Sequence, residues 1–340
     1  MAKAVFITQC NVSVGTGHLK RCLVLAEELQ LLNIAPLFWL VDSSPGRLLE
    51  QPGHSYKLLS LDDCLASIQE ITNTPDADEF IIIVDCDIES LHGEGLQRSI
   101  IQKGVKLMYI AFSDRYYYEA HIIHNQNPRA LELDYKTAAH TQRLLGLDYV
   151  ILDKAFDAAL KKNTPIPYEK PILITFGGSD EPGRTLFLLE VLDSIPLPGA
   201  HFIIVLGSLY KEKDRLLSFL ETNFRYPHEL HIDTHKMAEL MGKSKIAFTS
   251  GGLTAWELAV FGIPNAIISF SPRERISAEY LDRVRLARHI GPFEEGHLPA
   301  LRSEIITYME HMDWQKERTP NPLVNINGKK RVAAEIAKLF

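Results

Sequence analysis

The chain has 340 residues, more than one hydrophobic core usually holds, so two domains are expected. It is 46% hydrophobic and 23% charged, a composition typical of globular proteins that excludes a disordered chain. The formal net charge of −7 argues against a protein that coats nucleic acid, and it offers no general attraction to anionic membranes.

The cysteines and the N-terminus indicate the compartment. The four cysteines are widely spaced without a C-x-x-C pair, which favours buried thiols in a reducing environment. The N-terminus enters a strand pattern without a signal-peptide layout, and no apolar run is long enough to cross a bilayer. No histidine spacing suggests a metal site, and no cofactor is expected. The sequence predicts a cytoplasmic protein and leaves its oligomeric state open.

Apolar runs alternate with helical patterns along the first half of the chain. The run at 4–8 leads through a glycine turn into residues 19–29, where apolar side chains recur every three or four positions. Residues 80–85 form a continuous apolar run closing on an acid, as in a parallel strand buried on both faces. The same criteria predict a helix at 92–103 and strands at 36–41, 56–59, 106–111 and 121–124. This alternation is typical of a βαβ sheet.

The pattern breaks at residues 157–170, where periodicity is lost and two prolines occur, and we interpret this segment as a linker. Alternation then resumes, with strands predicted at 171–176, 202–206, 229–232, 245–249 and 265–270, and helices at 185–192, 237–241, 253–261 and 331–340. The predicted fold class is α/β, with doubly wound domains at 1–156 and 171–340. The last helix is expected to pack back on the first domain.

A glycine turn in the second half is the most suggestive local pattern. An apolar run ends at Ser250 and is followed by Gly251, Gly252 and a helical pattern. Glycines let a ligand approach the backbone, and a helix N-terminus offers N–H groups to a phosphate. Glu257 falls on the first turns of that helix, within reach of a ribose. The alternative is a pair of glycines that only form a turn.

The first half has its own glycine turn, Gly15-Thr16-Gly17-His18, which lacks the third glycine of the dinucleotide fingerprint. A helix N-terminus favours the neutral form of a histidine, and a neutral imidazole near pH 7 can act as a general base. His18 could equally cap or pack in the turn. Arg21 could hold a carboxylate or a phosphate, and Asp85 could orient His18, bind a ligand or cap the next helix.

In doubly wound sheets, ligands bind at the carboxyl ends of the strands. Polar groups follow the apolar runs at two further places, Gly177 to Asp180 and Ser271 to Arg275. No Walker-type lysine follows either glycine turn, and no G-x-S-x-G elbow is present. The sequence therefore supports neither P-loop phosphoryl transfer nor a serine hydrolase.

Three motifs occur together along nearly the whole chain: Gly15-x-Gly17-His18-x-x-Arg21, Gly177-Gly178-Ser179-Asp180, and Ser250-Gly251-Gly252-x-Thr254-x-Trp256-Glu257 with Gly262-x-Pro264. The combination resembles the UDP-sugar hydrolases of pseudaminic acid biosynthesis and the related spore-coat polysaccharide proteins. These are similar in turn to the GT-B glycosyltransferase that adds N-acetylglucosamine to the peptidoglycan lipid precursor. The resemblance implies a GT-B fold, with two Rossmann-like domains facing a cleft and the nucleotide mainly on the C-terminal one.

The resemblance also implies a nucleotide-sugar substrate and a role for the matching residues. His18 would activate water to release UDP, Glu257 would bind the ribose hydroxyls, and Met237 would lie beside uracil. Thr254 would join Gly251 and Gly252 in holding the diphosphate. The remaining substrate-binding residues carried over are Gly15, Gly17, Arg21, Gly177, Gly178, Ser179, Ser250, Glu274 and Arg275.

The departures from this family lie on the sugar side. Asp87 stands where the family usually has Tyr, Ala111-Phe112 where it often has paired aspartates, and Glu274-Arg275 where it has Asn-Gln. Glu274 would repel a diphosphate unless Arg273 or Arg275 compensates. The preferred function is a nucleotide-sugar hydrolase. The alternatives are a glycosyltransferase with a hydroxyl acceptor, and a nucleotide-sugar-binding protein without turnover.

Overall fold

The chain folds as two α/β units. The computed structural model describes residues 1–11, 17–43, 55–111, 113–162, 166–178, 180, 182–315 and 317–340. Unit 1 comprises Met1–Asp153 together with Asn325–Phe340, and unit 2 comprises Lys154–Val324. The chain therefore passes between the units twice, and its last segment belongs to the first unit.

Unit 1 is built on a parallel sheet. Its strands are β1 (Lys3–Thr8), β2 (Ala35–Val41), β3 (Ser55–Leu59), β4 (Phe80–Asp85), β5 (Lys106–Ile110), β6 (Tyr117–Tyr118), β7 (Ile122–Asn125), β8 (Lys136–Thr137) and β9 (Gln142–Leu145). Its helices are α1 (Gly17–Leu31), α2 (Leu61–Thr72) and α3 (Glu94–Gln102), with α11 (Gly328–Ala337) added from the end of the chain. The sheet order is β3-β2-β1-β4-β5-β7-β9, and β6 pairs separately with β8.

Both faces of this sheet are covered, which explains the continuous apolar runs. On β1, Val5 and Ile7 point into one core cluster, while Ala4 and Phe6 point into the cluster on the opposite face. All four side chains are fully buried. Side chains alternate across a strand, so a strand between two cores needs apolar residues at every position.

Unit 2 repeats the arrangement. Its strands are β10 (Lys170–Thr175), β11 (Ala200–Leu206), β12 (His228–Ile232), β13 (Ile246–Thr249), β14 (Asn265–Ser269) and β15 (Arg288–Pro292). Its helices are α4 (Lys154–Lys162), α5 (Arg184–Asp193), α6 (Lys213–Thr222), α7 (Met237–Gly242), α8 (Thr254–Val260), α9 (Pro272–Arg283) and α10 (Leu298–Glu310). The sheet order is β12-β11-β10-β13-β14-β15, and all its pairs are parallel. Both sheets are doubly wound, as predicted.

The expected linker at 157–170 differs from the structure, since α4 occupies much of it. Phe156 is 4% exposed and packs with Leu240 and Met241 in a core cluster of unit 2. The change of unit falls at 153–154, ahead of the prolines that suggested a linker. Among the described residues, sequence periodicity also missed eight other elements, namely α2, α6, α9, α10, β6, β8, β9 and β15.

Helix α11 packs against α1 and closes one face of unit 1. Val332 and Ile336 are fully buried there in the same cluster as Leu25 and Leu29. Gly328 opens the helix where only glycine fits, because a Cβ would lie 2.4 Å from the main chain of Val150. Among the described residues, no helix is both long and apolar enough to cross a membrane.

We expect Ile336→Ala to lower the free energy of unfolding of unit 1 by about 2–4 kcal/mol, because it leaves a cavity between α11 and α1. Urea unfolding followed by circular dichroism measures the effect. Lys330→Ala is the matched control, since Lys330 is exposed on the same helix. Equal midpoints for the two variants would show that α11 contributes little to the stability of unit 1.

Candidate active site

Several of the predicted site residues lie at the switch points of the two sheets. In each sheet the strand order reverses beside its first strand, between β1 and β4 in unit 1 and between β10 and β13 in unit 2. Loops leave in opposite directions from such a point and open a crevice at the carboxyl ends of the strands. His18 follows β1 and Asp85 ends β4, while Gly177 follows β10 and Gly251 follows β13.

The structure brings His18, Arg21 and Asp85 together, and we call these three residues the His18 cluster. His18 Nδ1 lies 2.9 Å from Asp85 Oδ1. Arg21 donates from Nε to Asp85 Oδ2 over 2.5 Å, and its second terminal nitrogen donates to Oδ1. His18 and Arg21 both lie in the first turns of α1, so the His18 cluster connects the start of that helix to the end of β4. Asp85 thus lies against His18, and its role in orienting that ring stays a prediction.

Asp85 is ionised even though it is completely buried. Burial alone would raise the pKa of its carboxyl, but the charge of Arg21 and the hydrogen bonds from Arg21 and His18 lower that pKa to about 2. Burial likewise opposes the charge on Arg21, and the attraction of Asp85 raises the pKa of the guanidinium above its usual value. The pair is therefore charged around neutral pH.

An ionised Asp85 fixes the tautomer of His18. A carboxylate only accepts hydrogen bonds, so the proton of a neutral His18 ring lies on Nδ1 and the lone pair on Nε2. Arg21 also approaches Nδ1, at 3.2 Å, but a guanidinium only donates and cannot bond to a protonated nitrogen. The contact of His18 Nδ1 with Asp85 is the shorter of the two, so it determines which ring nitrogen carries the proton. His18 is 18% exposed, so its ring remains accessible.

In unit 2 the loop after β10 is shaped by close backbone contacts. Gly177 has φ = 82°, a conformation that side chains disfavour. Gly207 passes so near this loop that a Cβ would meet the carbonyl oxygen of Gly178 at 2.2 Å. Leu209 donates from its backbone nitrogen to the same oxygen over 3.0 Å. Gly177 and Gly178 are both exposed, so the loop presents bare backbone.

The two glycines after β13 have different surroundings. A Cβ on Gly251 would lie 2.9 Å from the carbonyl oxygen of Glu274, in the first turn of α9. Ser277 also donates from Oγ to the carbonyl of Gly251 over 2.8 Å. Gly252 is exposed, and the nearest atom to a Cβ there would be Ser250 Oγ at 3.8 Å. Gly251 is needed for packing, whereas Gly252 leaves space that a ligand could use.

The remaining predicted nucleotide-side residues lie beside this turn or at the start of a helix of unit 2. Thr254 opens α8, and Glu257 lies half-buried in its first turn. Ser250 is half-buried at the end of β13. Met237 opens α7 and packs partly against the core of unit 2. Gly15 and Ser179 lie outside the described residues, as does Phe112 on the sugar side.

Glu274 is neutralised by a residue that sequence reasoning missed. We expected Arg273 or Arg275 to compensate it, but Arg184 does so, with its Nη1 atom 2.7 Å from Glu274 Oε2. The same oxygen accepts from the backbone nitrogen of Phe270 over 2.8 Å. Glu274 thus accepts a hydrogen bond from the backbone just before α9, whose N-cap residue is Ser271. Repulsion of a diphosphate by a free carboxylate is not expected from this arrangement.

Arg184 itself is only 4% exposed and is held on several sides. It donates from Nε to Asp180 over 3.2 Å and from Nη1 to the carbonyl of Ile268 over 3.0 Å. Asp180 also accepts from the backbone nitrogens of Arg184 and Thr185, so it caps α5. Arg184 is the only basic residue of the largely apolar helix α5, and this was the sequence signal for these contacts.

The substituted sugar-side positions also have partners within the chain. Asp87 pairs with Arg115 at 2.8 Å, and Ala111 is buried. Arg275 pairs with Glu279 at 3.1 Å rather than with Glu274. No group of three histidine, cysteine or acidic side chains suited to a metal occurs in the described part of the chain.

Two cavities in unit 2 lie away from these residues. One, of about 330 Å³, lies beside β15 and includes His289 and His297, while the other, of about 200 Å³, includes Lys245 and Arg318. Neither is lined by a predicted site residue. The candidate site is therefore an arrangement of loops at the ends of the strands.

Sequence comparison gives distant relatives. No protein-family model matches the chain. An uncharacterized protein of Methanocaldococcus jannaschii is 28% identical over 315 residues, which cover 87% of this chain and 61% of that protein. The spore coat polysaccharide biosynthesis protein SpsG of Bacillus subtilis is 29% identical over 125 residues, 36% of each chain. The chain thus spans less than two thirds of the length of either relative.

Structure comparison establishes the fold. The crystal structure of MurG from Acinetobacter baumannii matches with a TM-score of 0.67 at 13% identity, over 99% of each chain. UDP-GlcNAc 2-epimerase from Neisseria meningitidis, bound to UDP-GlcNAc, matches with a TM-score of 0.60 at 14% identity, over 99% of this chain and 100% of that chain. The chain has the GT-B fold, with two Rossmann-like domains, which confirms the predicted fold class.

The different surroundings of Gly251 and Gly252 predict that an added methyl group has different effects on stability at the two positions. Gly251→Ala should destabilise unit 2 by about 1–3 kcal/mol, because the new methyl group is forced against the main chain of α9. Gly252→Ala should change the stability by less than about 0.5 kcal/mol, since its methyl group meets open space. Thermal unfolding of the two purified variants checks this. Equal melting temperatures would contradict the packing role of Gly251.

Proposed function

We propose that the chain hydrolyses a nucleotide sugar and releases UDP, with His18 as the general base. The observation that carries this proposal is the contact between His18 Nδ1 and the buried, ionised Asp85. It leaves Nε2 as the basic nitrogen of a partly exposed ring. An imidazole oriented by a carboxylate in this way is suited to accept a proton near neutral pH.

The reaction is a displacement by water at the sugar carbon that carries the diphosphate. His18 Nε2 takes a proton from water while the water oxygen bonds to that carbon. The bond from the carbon to the diphosphate oxygen breaks, and UDP leaves with the electron pair. Asp85 stabilises the imidazolium that forms, and Arg21 keeps Asp85 from taking the proton itself.

Unit 2 would hold the nucleotide. The proposed diphosphate site comprises Gly251, Gly252 and Thr254, where Gly252 is exposed and bare. Negative charge builds on the leaving diphosphate, so backbone N–H groups directed at it would lower the barrier. Glu257 in the first turn of α8 would bind the ribose hydroxyls, and Met237 at the start of α7 would lie beside the base.

The comparisons support this class of substrate. The matched epimerase structure contains UDP-GlcNAc, and SpsG is named for spore coat polysaccharide biosynthesis. We therefore expect a UDP-sugar and a role in making surface polysaccharide or glycan. The pseudaminic acid precursor is one candidate sugar, but the changes at Asp87, Ala111 and Glu274 fall on the sugar side.

A glycosyltransferase is the second candidate, because SpsG is named for polysaccharide biosynthesis, and polysaccharides are built by joining sugars to hydroxyl groups. His18 would then deprotonate an acceptor hydroxyl instead of water. A binding protein without turnover is the third candidate. The complete His18 cluster argues against it, since a buried ion pair that served only binding would not need an oriented imidazole.

We expect His18→Ala to lower the rate of UDP release by about 10²–10⁴-fold while UDP still binds, because the base is lost but the nucleotide site is intact. The assay uses a panel of UDP- and CMP-sugars without acceptor and follows free nucleotide. His140→Ala is the control, since His140 is an exposed histidine of the same unit. Binding without release in the wild type would favour the transferase or the binding protein, and full activity of His18→Ala would exclude the proposed base.

Glu257→Ala should weaken UDP binding by about 10–100-fold, because hydrogen bonds to a charged group contribute roughly 1.5–3 kcal/mol. Gly252→Ala should also weaken it, by blocking the approach of the diphosphate without disturbing the fold. Calorimetry with UDP measures both effects. Glu221→Ala serves as the control, since Glu221 is exposed on α6 of the same unit. Unchanged affinity in Glu257→Ala would refute the ribose assignment.

A further inference from the structure

The Cys22 thiol is the fourth hydrogen-bond donor to Asp85. Cys22 Sγ lies 3.3 Å from Asp85 Oδ2, and neither residue is exposed to solvent. His18 and Arg21 both approach Oδ1, while Arg21 Nε and the thiol approach Oδ2. Each oxygen of this carboxylate is thus engaged by two groups of α1.

Cys22 also packs in the apolar core between α1 and the sheet, which is the ordinary role of a buried cysteine. Packing alone does not require a polar atom against a carboxylate. Burial and then the charge of Asp85 raise the pKa of the thiol well above its usual value. The sulfur therefore keeps its proton, and the hydrogen bond runs from S–H to the carboxylate.

We propose that Cys22 is a positioning residue for the base His18, acting through Asp85. The S–H group donates a hydrogen bond to Asp85 Oδ2 and so reduces the negative charge of the carboxylate near His18. A less negative carboxylate stabilises the imidazolium less, so loss of the S–H donor is expected to favour the charged form of the ring. The inference rests on the proposed function only in naming His18 as the base.

Other titratable groups around Asp85 keep a single protonation state near neutral pH. Cys86 follows Asp85 on the chain, and burial raises the pKa of its thiol well above the usual value. His124 on β7 senses both Asp85 and Arg21, and burial lowers its pKa to about 4. Arg21 stays charged throughout. A change in the titration of His18 on altering Cys22 can therefore be assigned to the thiol.

The test is the ¹⁵N NMR titration of the His18 ring in variants of the full chain. Cys22→Val replaces the thiol with a slightly larger apolar side chain and removes the donor, so the His18 midpoint should rise by about half a pH unit. Cys22→Ser keeps a donor and should restore the wild-type midpoint. The acid limb of the pH profile of kcat/KM should move with the NMR midpoint. If Cys22→Val does not fold, Cys22→Ala removes the same donor.

Cys64→Val is the matched control, because Cys64 is a buried cysteine of the same unit that makes a core contact from α2. It should leave the His18 midpoint unchanged. An unchanged midpoint in Cys22→Val, or an equal rise in Cys22→Ser, would overturn the proposal and leave Cys22 as a packing residue. If no UDP-sugar releases UDP, the proposed function fails, yet the NMR titration still decides the role of Cys22.

Discussion

The buried carboxylate of Asp85 is the group on which the candidate site of unit 1 depends. It is fully enclosed at the end of β4, and Arg21 on α1 balances its charge. Removing one partner of such a pair leaves an uncompensated buried charge, which costs several kcal/mol. The pair therefore holds the N-terminal turn of α1 at the switch point of the sheet, and His18 takes its orientation from it.

Unit 2 has a corresponding buried ion pair at its own carboxyl edge. Arg184 joins Asp180 at the start of α5 to Glu274 at the start of α9. Gly251 packs on that same turn of α9, so the loop that would carry the diphosphate is fixed by the Arg184 contacts. In both units a buried arginine on the first turns of a helix pairs with an acid at the carboxyl edge of the sheet.

The sequence predicted the features of the fold that depend on a local pattern of residue types. The apolar run of β4 and the glycine turn after β13 were recognised, because burial on both faces and bare backbone each restrict residue types locally. Helix α9 was missed, since its buried residues are only Ala278 and Leu281 and its other positions are mostly polar. The contact of Arg184 with Glu274 joins residues 90 positions apart, and no local pattern reports such a pair.

The most direct test of the account is the fate of the solvent oxygen during turnover. The protein is incubated with its UDP-sugar in H₂¹⁸O, and both products are examined by mass spectrometry. Displacement by a water that His18 activates predicts one ¹⁸O atom in the free sugar and none in UDP. Label in the phosphate of UDP, or release of UDP only when a hydroxyl acceptor is present, would contradict hydrolysis at the sugar carbon.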